Sequence, residues 1–73
     1  DYSIVEMKAH NNWIGKKLSE LALRAKYGIN VICIKKQDTG DTVFPTADYE
    51  IEKEDNLMII APNKELDKMG YWK

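Results

Sequence analysis

Polar and apolar residues alternate along the first part of the chain, over residues 2–9. Val5 and Met7 fall on one side of this alternation, and Glu6 and Lys8 fall on the other. A period of two is the pattern of a strand that buries one face and exposes the other. The chain is therefore predicted to begin with a half-buried β-strand.

The spacing of apolar residues then changes to intervals of three and four. The apolar positions are Ile14, Leu18, Leu21, Ala22 and Ala25. This spacing forms one stripe along a helix. Arg24 and Lys26 lie in its predicted last turn, where cations suit the helix dipole, and Gly28 is suited to a left-handed cap. The pattern predicts one principal helix that ends at Gly28.

Two later segments, residues 30–36 and 57–61, contain consecutive apolar positions. A strand that is buried on one face only should alternate, so both strands are predicted to be covered on both faces. The turn-forming residues 37–41 predict a hairpin whose second arm is residues 42–44. These segments add three strands to the expected sheet.

Pro45 should end the hairpin arm because it has no N–H to donate to a neighbouring strand. The residues at 49–51 allow a further short strand outside the main order, and a short helix is expected at residues 64–69 with Asn63 as its N-cap. The chain is therefore predicted to form an α+β layer sandwich of order β-α-β-β-β-α, with a mostly antiparallel sheet and one principal helix.

The chain of 73 residues allows one small domain. Domains of this size often depend on disulfides, metals or oligomerisation for stability. Cys33 is the only cysteine and His10 the only histidine, so neither an internal disulfide nor a tetrahedral zinc set can form. We therefore expect a homodimer.

Eleven basic and twelve acidic residues give a net charge of −1 and are mixed along the chain. This balance predicts neither a nucleic-acid partner nor a membrane surface. No apolar run approaches the ~20 residues of a membrane span, so direct insertion is not expected. Because the chain starts at Asp1 without Met, we expect a fragment of a longer protein. A free cysteine favours a cytoplasmic setting.

No set of residues predicts an enzyme. His10 has no visible nucleophile elbow or orienting acid beside it. Cys33 lies within an apolar strand, which predicts an inert thiol. The cluster of Glu52, Glu54 and Asp55 lacks the alternating spacing of a calcium loop and is expected to be a solvated turn. No metal site is predicted.

The order of these motifs resembles the RCK C-terminal (TrkA-C) family over residues 4–61. The matching features are Ile14-Gly15-Lys16, Leu18 and Leu21, Gly28, the strand at residues 31–34, Pro45, and Asp55 before the strand at residues 57–60. The chain departs from the family pattern at Glu54, where glycine is frequent, and at Lys35-Lys36, where arginine is frequent. Ala61-Pro62 also replaces a usual glycine.

This resemblance implies a regulatory domain, residues 1–73, of a Ktr- or Trk-type potassium-uptake gating subunit. Such subunits form a cytoplasmic ring that acts on a membrane potassium channel subunit. The ring's nucleotide-binding domain is absent here, because the chain contains no Gly-x-Gly-x-x-Gly, so no NAD or ATP cofactor is expected. In Gram-positive relatives the C-terminal lobe dimerises and binds cyclic di-AMP across its two-fold axis.

Under this resemblance the expected ligand site is formed by Leu18, Leu23, Arg24, Ala25, Asn30 and Pro45. Arginine has a planar pair of donors for a phosphate, and an asparagine amide matches the donor and acceptor edge of adenine. Leu18, Leu23 and Pro45 would provide an apolar floor, and Ala25 its backbone. Binding would favour one dimer arrangement and thereby control channel gating.

A simpler interpretation of the same residues remains open. Arg24 would then only cap a helix, and Asn30 would only complete a turn. The chain would be a purely structural dimerisation lobe of a transporter or a transcription regulator, without a small-molecule ligand.

Overall fold

Four strands and three short helices make up residues 1–71, the part of the chain that the structure, a computed structural model, describes. The strands are β1 (Tyr2–Lys8), β2 (Asn30–Lys36), β3 (Thr42–Val43) and β4 (Asp55–Pro62), and the helices are α1 (Leu18–Leu21), α2 (Leu23–Tyr27) and α3 (Asn63–Lys68). The strands form one sheet in the order β1-β4-β2-β3, with every neighbouring pair antiparallel. The predicted α+β class and antiparallel sheet are confirmed.

The centre of the core lies on the inner face of β4. Ile59 pairs with Val5 of β1 and with Val31 of β2, and Leu57 pairs with Ile34. Leu57, Ile59 and Ile34 are completely buried. The apolar run of β4 therefore supplies one buried face, while the alternate side chains on its other face are half-buried within this chain.

The predicted principal helix is in fact two short helices. Ala22 separates α1 from α2 because its backbone is left-handed, with φ of 48°. This break changes which residues face the core: Leu23 is buried, whereas Ala25, which the predicted stripe places inside, is exposed. The single-helix prediction was wrong here because the stripe assumes an unbroken helical phase.

The helix also begins later than predicted, at Leu18 rather than Ile14. Gly15 is left-handed, with φ of 84°, and its N–H donates to the carbonyl oxygen of Ile51 at 2.7 Å. The N–H of Ile51 donates in turn to Lys16 at 2.9 Å. These bonds to a distant part of the chain replace the first predicted helical turn.

The further short strand that the sequence allows is absent, and the last helix begins one residue earlier than predicted. Residues 49–51 form a single bridge, between Lys17 and Glu50, rather than a strand. The last helix starts at Asn63, with Pro62 as its N-cap. No helix within residues 1–71 is long and apolar enough to cross a membrane.

Candidate functional site

An open surface depression of about 440 Å³ lies where α1, α2, the start of β2 and the loop after β3 meet. Six of its lining residues are those predicted from the sequence: Leu18, Leu23, Arg24, Ala25, Asn30 and Pro45. The other lining residues are Ala22, Ile29, Val31, Thr46 and Ala47. The structure therefore brings all six predicted residues together, and their role in binding stays a prediction.

A tight reversal after α2 accounts for the meeting of Arg24 and Asn30. Gly28 is left-handed, with φ of 70°, and its N–H donates to the carbonyl oxygen of Arg24 at 3.0 Å. Ile29 follows and is buried, with 2% of its surface exposed. Asn30 then opens β2, so the last turn of α2 and the first residue of β2 share one rim.

Arg24 gives the depression its charge. It is the only arginine of the chain and the only charged residue among those that line the depression. Its side chain is exposed and forms no ion pair with any residue of 1–71. The depression therefore presents one uncompensated guanidinium, a group whose planar donors suit phosphate and carboxylate.

The apolar lining is less uniform than the sequence predicts. Leu23 is 5% exposed and belongs mainly to the core, whereas Leu18 and Pro45 are half-buried and remain accessible. Thr46 and Ala47 were not predicted, although both are exposed on the far wall. Only their position directly after Pro45 could have indicated them from the sequence.

The loop that carries this far wall, residues 44–54, also caps α1. The N–H of Leu18 donates to the carbonyl oxygen of Tyr49 at 3.0 Å, and the N–H of Ser19 donates to that of Ala47 at 2.9 Å. The first N–H groups of a helix have no partner within the helix itself. The 44–54 loop supplies those partners, so α1 and the far wall are fixed to each other.

A buried carboxylate lies at the end of the 44–54 loop. Asp55 is 1% exposed. Its Oδ1 accepts a hydrogen bond from Lys36 Nζ at 2.5 Å, and its Oδ2 accepts from the Tyr49 hydroxyl at 2.6 Å and from the Glu52 N–H at 3.0 Å. Lys36 also bonds to the Glu52 carboxylate at 2.7 Å.

The prediction that Asp55 belongs to a solvated turn was therefore wrong. Pairing with Lys36 compensates its charge inside the fold. Within residues 1–71 no group of three or more His, Cys, Asp or Glu side chains is arranged to hold a metal ion. In the sequence Asp55 stands directly before an apolar strand, and nothing in the neighbouring residues indicates its pairing with Lys36.

The same contacts shift the acidity of these groups. Burial raises the pKa of Asp55, but the hydrogen bonds from Lys36, Tyr49 and Glu52 lower it more, so the net pKa lies below its ordinary value. Burial lowers the pKa of Lys36, and its bonds to Asp55, Glu52 and Tyr49 outweigh that effect and raise it. Burial and the bond to Asp55 raise the pKa of the Tyr49 hydroxyl. The Asp55 carboxylate and the Lys36 ammonium therefore both remain charged at neutral pH.

A smaller cleft of about 240 Å³ lies between the turn after β1, the end of α2, and α3. The rings of His10 and Trp13 meet there with centroids 5.0 Å apart and planes tilted by 52°. Glu65 and Lys68 both line this cleft, and Lys68 Nζ lies 3.5 Å from Glu65 Oε2. The formal charges of these two side chains therefore cancel. Because its lysine is already paired with a carboxylate, this cleft is less suited to bind an anion than the depression around Arg24.

Comparison with known proteins identifies relatives over most of the chain. The family model of the TrkA-C domain matches residues 2–70. The Ktr system potassium uptake protein C of Bacillus subtilis (strain 168) is 39% identical over 61 residues, which cover 84% of this chain and 27% of that protein. The K(+)/H(+) antiporter subunit KhtT of the same organism is 38% identical over 56 residues, which cover 77% of this chain and 34% of KhtT. The chain thus spans about a quarter to a third of these relatives.

Solved structures show the same fold. The Regulator of Conductance of K+ (RCK) C domain of the potassium transport protein KtrA, in complex with cyclic di-AMP, matches with a TM-score of 0.81 and 33% identity. This match covers 94% of this chain and 80% of that one. The GsuK RCK domain matches with a TM-score of 0.79 at 17% identity, over 96% of this chain and 16% of that one, and shows the fold alone.

Proposed function

Because the chain belongs to the TrkA-C domain family, we propose that it is the regulatory, ligand-sensing lobe of a longer potassium-transport gating subunit. In this proposal two copies form a homodimer in the cytoplasm and bind cyclic di-AMP at their interface. Ligand binding controls a membrane potassium channel subunit through the rest of the protein. The lobe performs no catalysis of its own.

One observation carries this proposal: the only charged residue that lines the depression is an exposed arginine without an ion-pair partner among residues 1–71. Each phosphate of cyclic di-AMP needs such a partner, and the ligand is two-fold symmetric. A two-fold dimer meets it with the same residues from each subunit. The 33% identical KtrA domain, which was solved with cyclic di-AMP, supports this ligand.

The roles of the lining residues follow from their positions in the proposal. Arg24 donates to a phosphate, and the Asn30 amide bonds to the edge of an adenine. Leu18 and Pro45 contact the base with their accessible apolar surface, with Leu23 behind them and Ala25 contributing its backbone. The ligand shifts the dimer only by the difference in its affinity for the two arrangements.

Titration calorimetry with cyclic di-AMP, cyclic di-GMP and ATP in parallel tests this proposal. We expect tight binding of cyclic di-AMP alone, at one ligand for two chains, because each subunit supplies half of the site. Light scattering should show a dimer at high micromolar concentration. Binding of one ligand per chain, or a monomer in the presence of ligand, would contradict the two-fold site.

Exposed apolar side chains on edge strand β1 favour a second candidate, a purely structural dimerisation lobe. Tyr2 and Ile4 lie on the same face of β1 and are 66% and 64% exposed. Large apolar side chains grouped on a surface commonly mark a contact with another protein. A dimer that binds none of the three nucleotides would favour this candidate.

A further inference from the structure

The 44–54 loop is held on one side and forms a wall of the depression on the other. Pro45, Thr46 and Ala47 line the depression. A few residues later, Tyr49 and Glu52 bond to the carboxylate of Asp55. The same short loop therefore connects a buried ionic group to the candidate ligand site.

Building on the proposed function, we propose that Asp55, together with Lys36 and Tyr49, positions the Pro45–Ala47 wall of the ligand site. None of these three residues lines the depression. They act on the ligand only through the loop, as positioning residues.

Asp55 holds the loop at two points that are three residues apart. Its Oδ2 accepts from the Tyr49 side chain at 2.6 Å and from the Glu52 backbone at 3.0 Å. Lys36 holds the opposite oxygen, Oδ1, and fixes the orientation of the carboxylate. Because Asp55 is almost completely buried, water cannot readily replace these bonds if one is lost.

Tyr49 transmits this restraint to the wall. Its N–H donates to the Thr46 carbonyl oxygen at 3.1 Å, and its own carbonyl accepts from the Leu18 N–H at 3.0 Å. Ala47 accepts from the Ser19 N–H at 2.9 Å. A shift of Tyr49 would therefore move Thr46 and Ala47 relative to Leu18. A misplacement of about 1 Å is enough to weaken a preorganised site substantially.

Tyr49→Phe is the variant that tests this inference, with Ser3→Ala as its matched control. Both remove one hydroxyl donor from a partly buried hydrogen bond of 2.6 Å, Tyr49 to Asp55 and Ser3 to Asn63. Tyr49→Phe also removes the hydroxyl oxygen that accepts from Lys36 Nζ at 3.0 Å, a bond within the same group of positioning residues. Neither Ser3 nor Asn63 lines the depression. A general loss of stability affects both variants, whereas a loss of positioning affects Tyr49→Phe alone.

Hydrogen exchange without ligand provides the first measurement. In Tyr49→Phe the amides of Leu18 and Ser19, which donate to the loop, should exchange about tenfold faster than in Ser3→Ala. Both variants are measured at a temperature at which they are folded. Equal exchange in the two variants would overturn the inference, whether or not the chain binds cyclic di-AMP.

Affinity for cyclic di-AMP provides the second measurement. Tyr49→Phe should bind about tenfold more weakly than the parent chain, and Ser3→Ala should bind as the parent does. Combined with Pro45→Ala, Tyr49→Phe should have a less than additive effect, because both changes act on one wall. Additive effects, or parental affinity in Tyr49→Phe, would contradict positioning while leaving the proposed function intact. If the parent itself does not bind, the proposed function fails and the exchange measurement still decides whether Tyr49 holds this wall.

Discussion

The Asp55 corner, formed by Asp55 with Lys36, Tyr49 and Glu52, and the depression around Arg24 differ in how their charged groups are partnered. Asp55 is 1% exposed, and its two oxygens accept three hydrogen bonds from within the chain. Arg24 is exposed on a concave surface and has no ion-pair partner among residues 1–71. A charged group whose hydrogen-bond and ion-pair partners lie within the fold contributes to stability. A charged group without such a partner on a concave surface is available to bind a ligand. Substitutions at Asp55 should therefore act mainly on stability, and on binding only through the Pro45–Ala47 wall, whereas substitutions at Arg24 should act mainly on binding.

The largest expected effect is on stability, at Asp55. Asp55→Asn removes the buried negative charge and leaves Lys36 with Glu52, an exposed partner. Breaking one side of a buried ion pair costs about 3–5 kcal/mol. We expect urea to unfold this variant at a much lower concentration than the parent.

Glu54→Gln is the matched control, because it changes the neighbouring residue and breaks only the exposed pair with Lys8, at 2.9 Å. Its unfolding midpoint should stay close to that of the parent. Equal midpoints for Asp55→Asn and the parent would show that the Asp55 corner does not stabilise the fold.

The second effect is on affinity, at Arg24. Arg24→Ala should weaken cyclic di-AMP binding at least a hundredfold, since a hydrogen bond to a charged group is worth about 1.5–3 kcal/mol and each dimer loses two such arginines. Arg24→Lys should recover only part of the loss, because lysine keeps the charge without the planar fork. Calorimetry measures both variants.

Lys26→Ala provides the control for Arg24, since Lys26 lies in the same last turn of α2 and does not line the depression. It should bind as the parent does. Both alanine variants should lose only about 0.3–1 kcal/mol of stability, the value of a cation at a helix C-terminus. If Arg24→Ala retains parental affinity, Arg24 is a helix cap and the assigned site is wrong.

The third effect is the pH dependence of the stability that Asp55 contributes. The pKa of Asp55 lies below its ordinary value of 3.8 in the folded chain, so between the two values the unfolded chain binds more protons. The stabilisation is therefore complete above the ordinary pKa and is lost as pH falls through the lowered one. Urea unfolding between pH 6 and pH 2 should show a smaller decline for Asp55→Asn than for the parent. Parallel declines would contradict the pKa shift.

The smallest effect tests the backbone of the depression. Ala22 is left-handed, a conformation that costs a non-glycine residue about 1–2 kcal/mol, whereas Ala25 lies within α2. Ala22→Gly should therefore leave the free energy of unfolding unchanged or raise it by up to about 1 kcal/mol. Ala25→Gly should lower it by about 0.5–1 kcal/mol. The opposite order in thermal unfolding would show that α1 and α2 form one continuous helix in solution.

The sequence by itself determined the elements that depend on neighbouring residues. Alternation predicted β1, and the bounds of β2 at Asn30 and Lys36 were predicted correctly. Gly28 was recognised as the end of the helix because the left-handed conformation favours glycine. The meeting of Arg24 and Asn30 followed, since only this local reversal separates them. These outcomes need no information about distant parts of the chain.

Only the tertiary structure decided the features that depend on distant partners. The break at Ala22 accompanies bonds from Leu18 and Ser19 to the 44–54 loop, which no local pattern reveals. Asp55 resembles a residue of a solvated turn until Lys36, nineteen positions earlier, is placed against it. Helix periodicity and charge counts describe one segment at a time, whereas burial and hydrogen-bond partners are properties of segments brought together by folding. The far wall and the buried ion pair therefore required the fold.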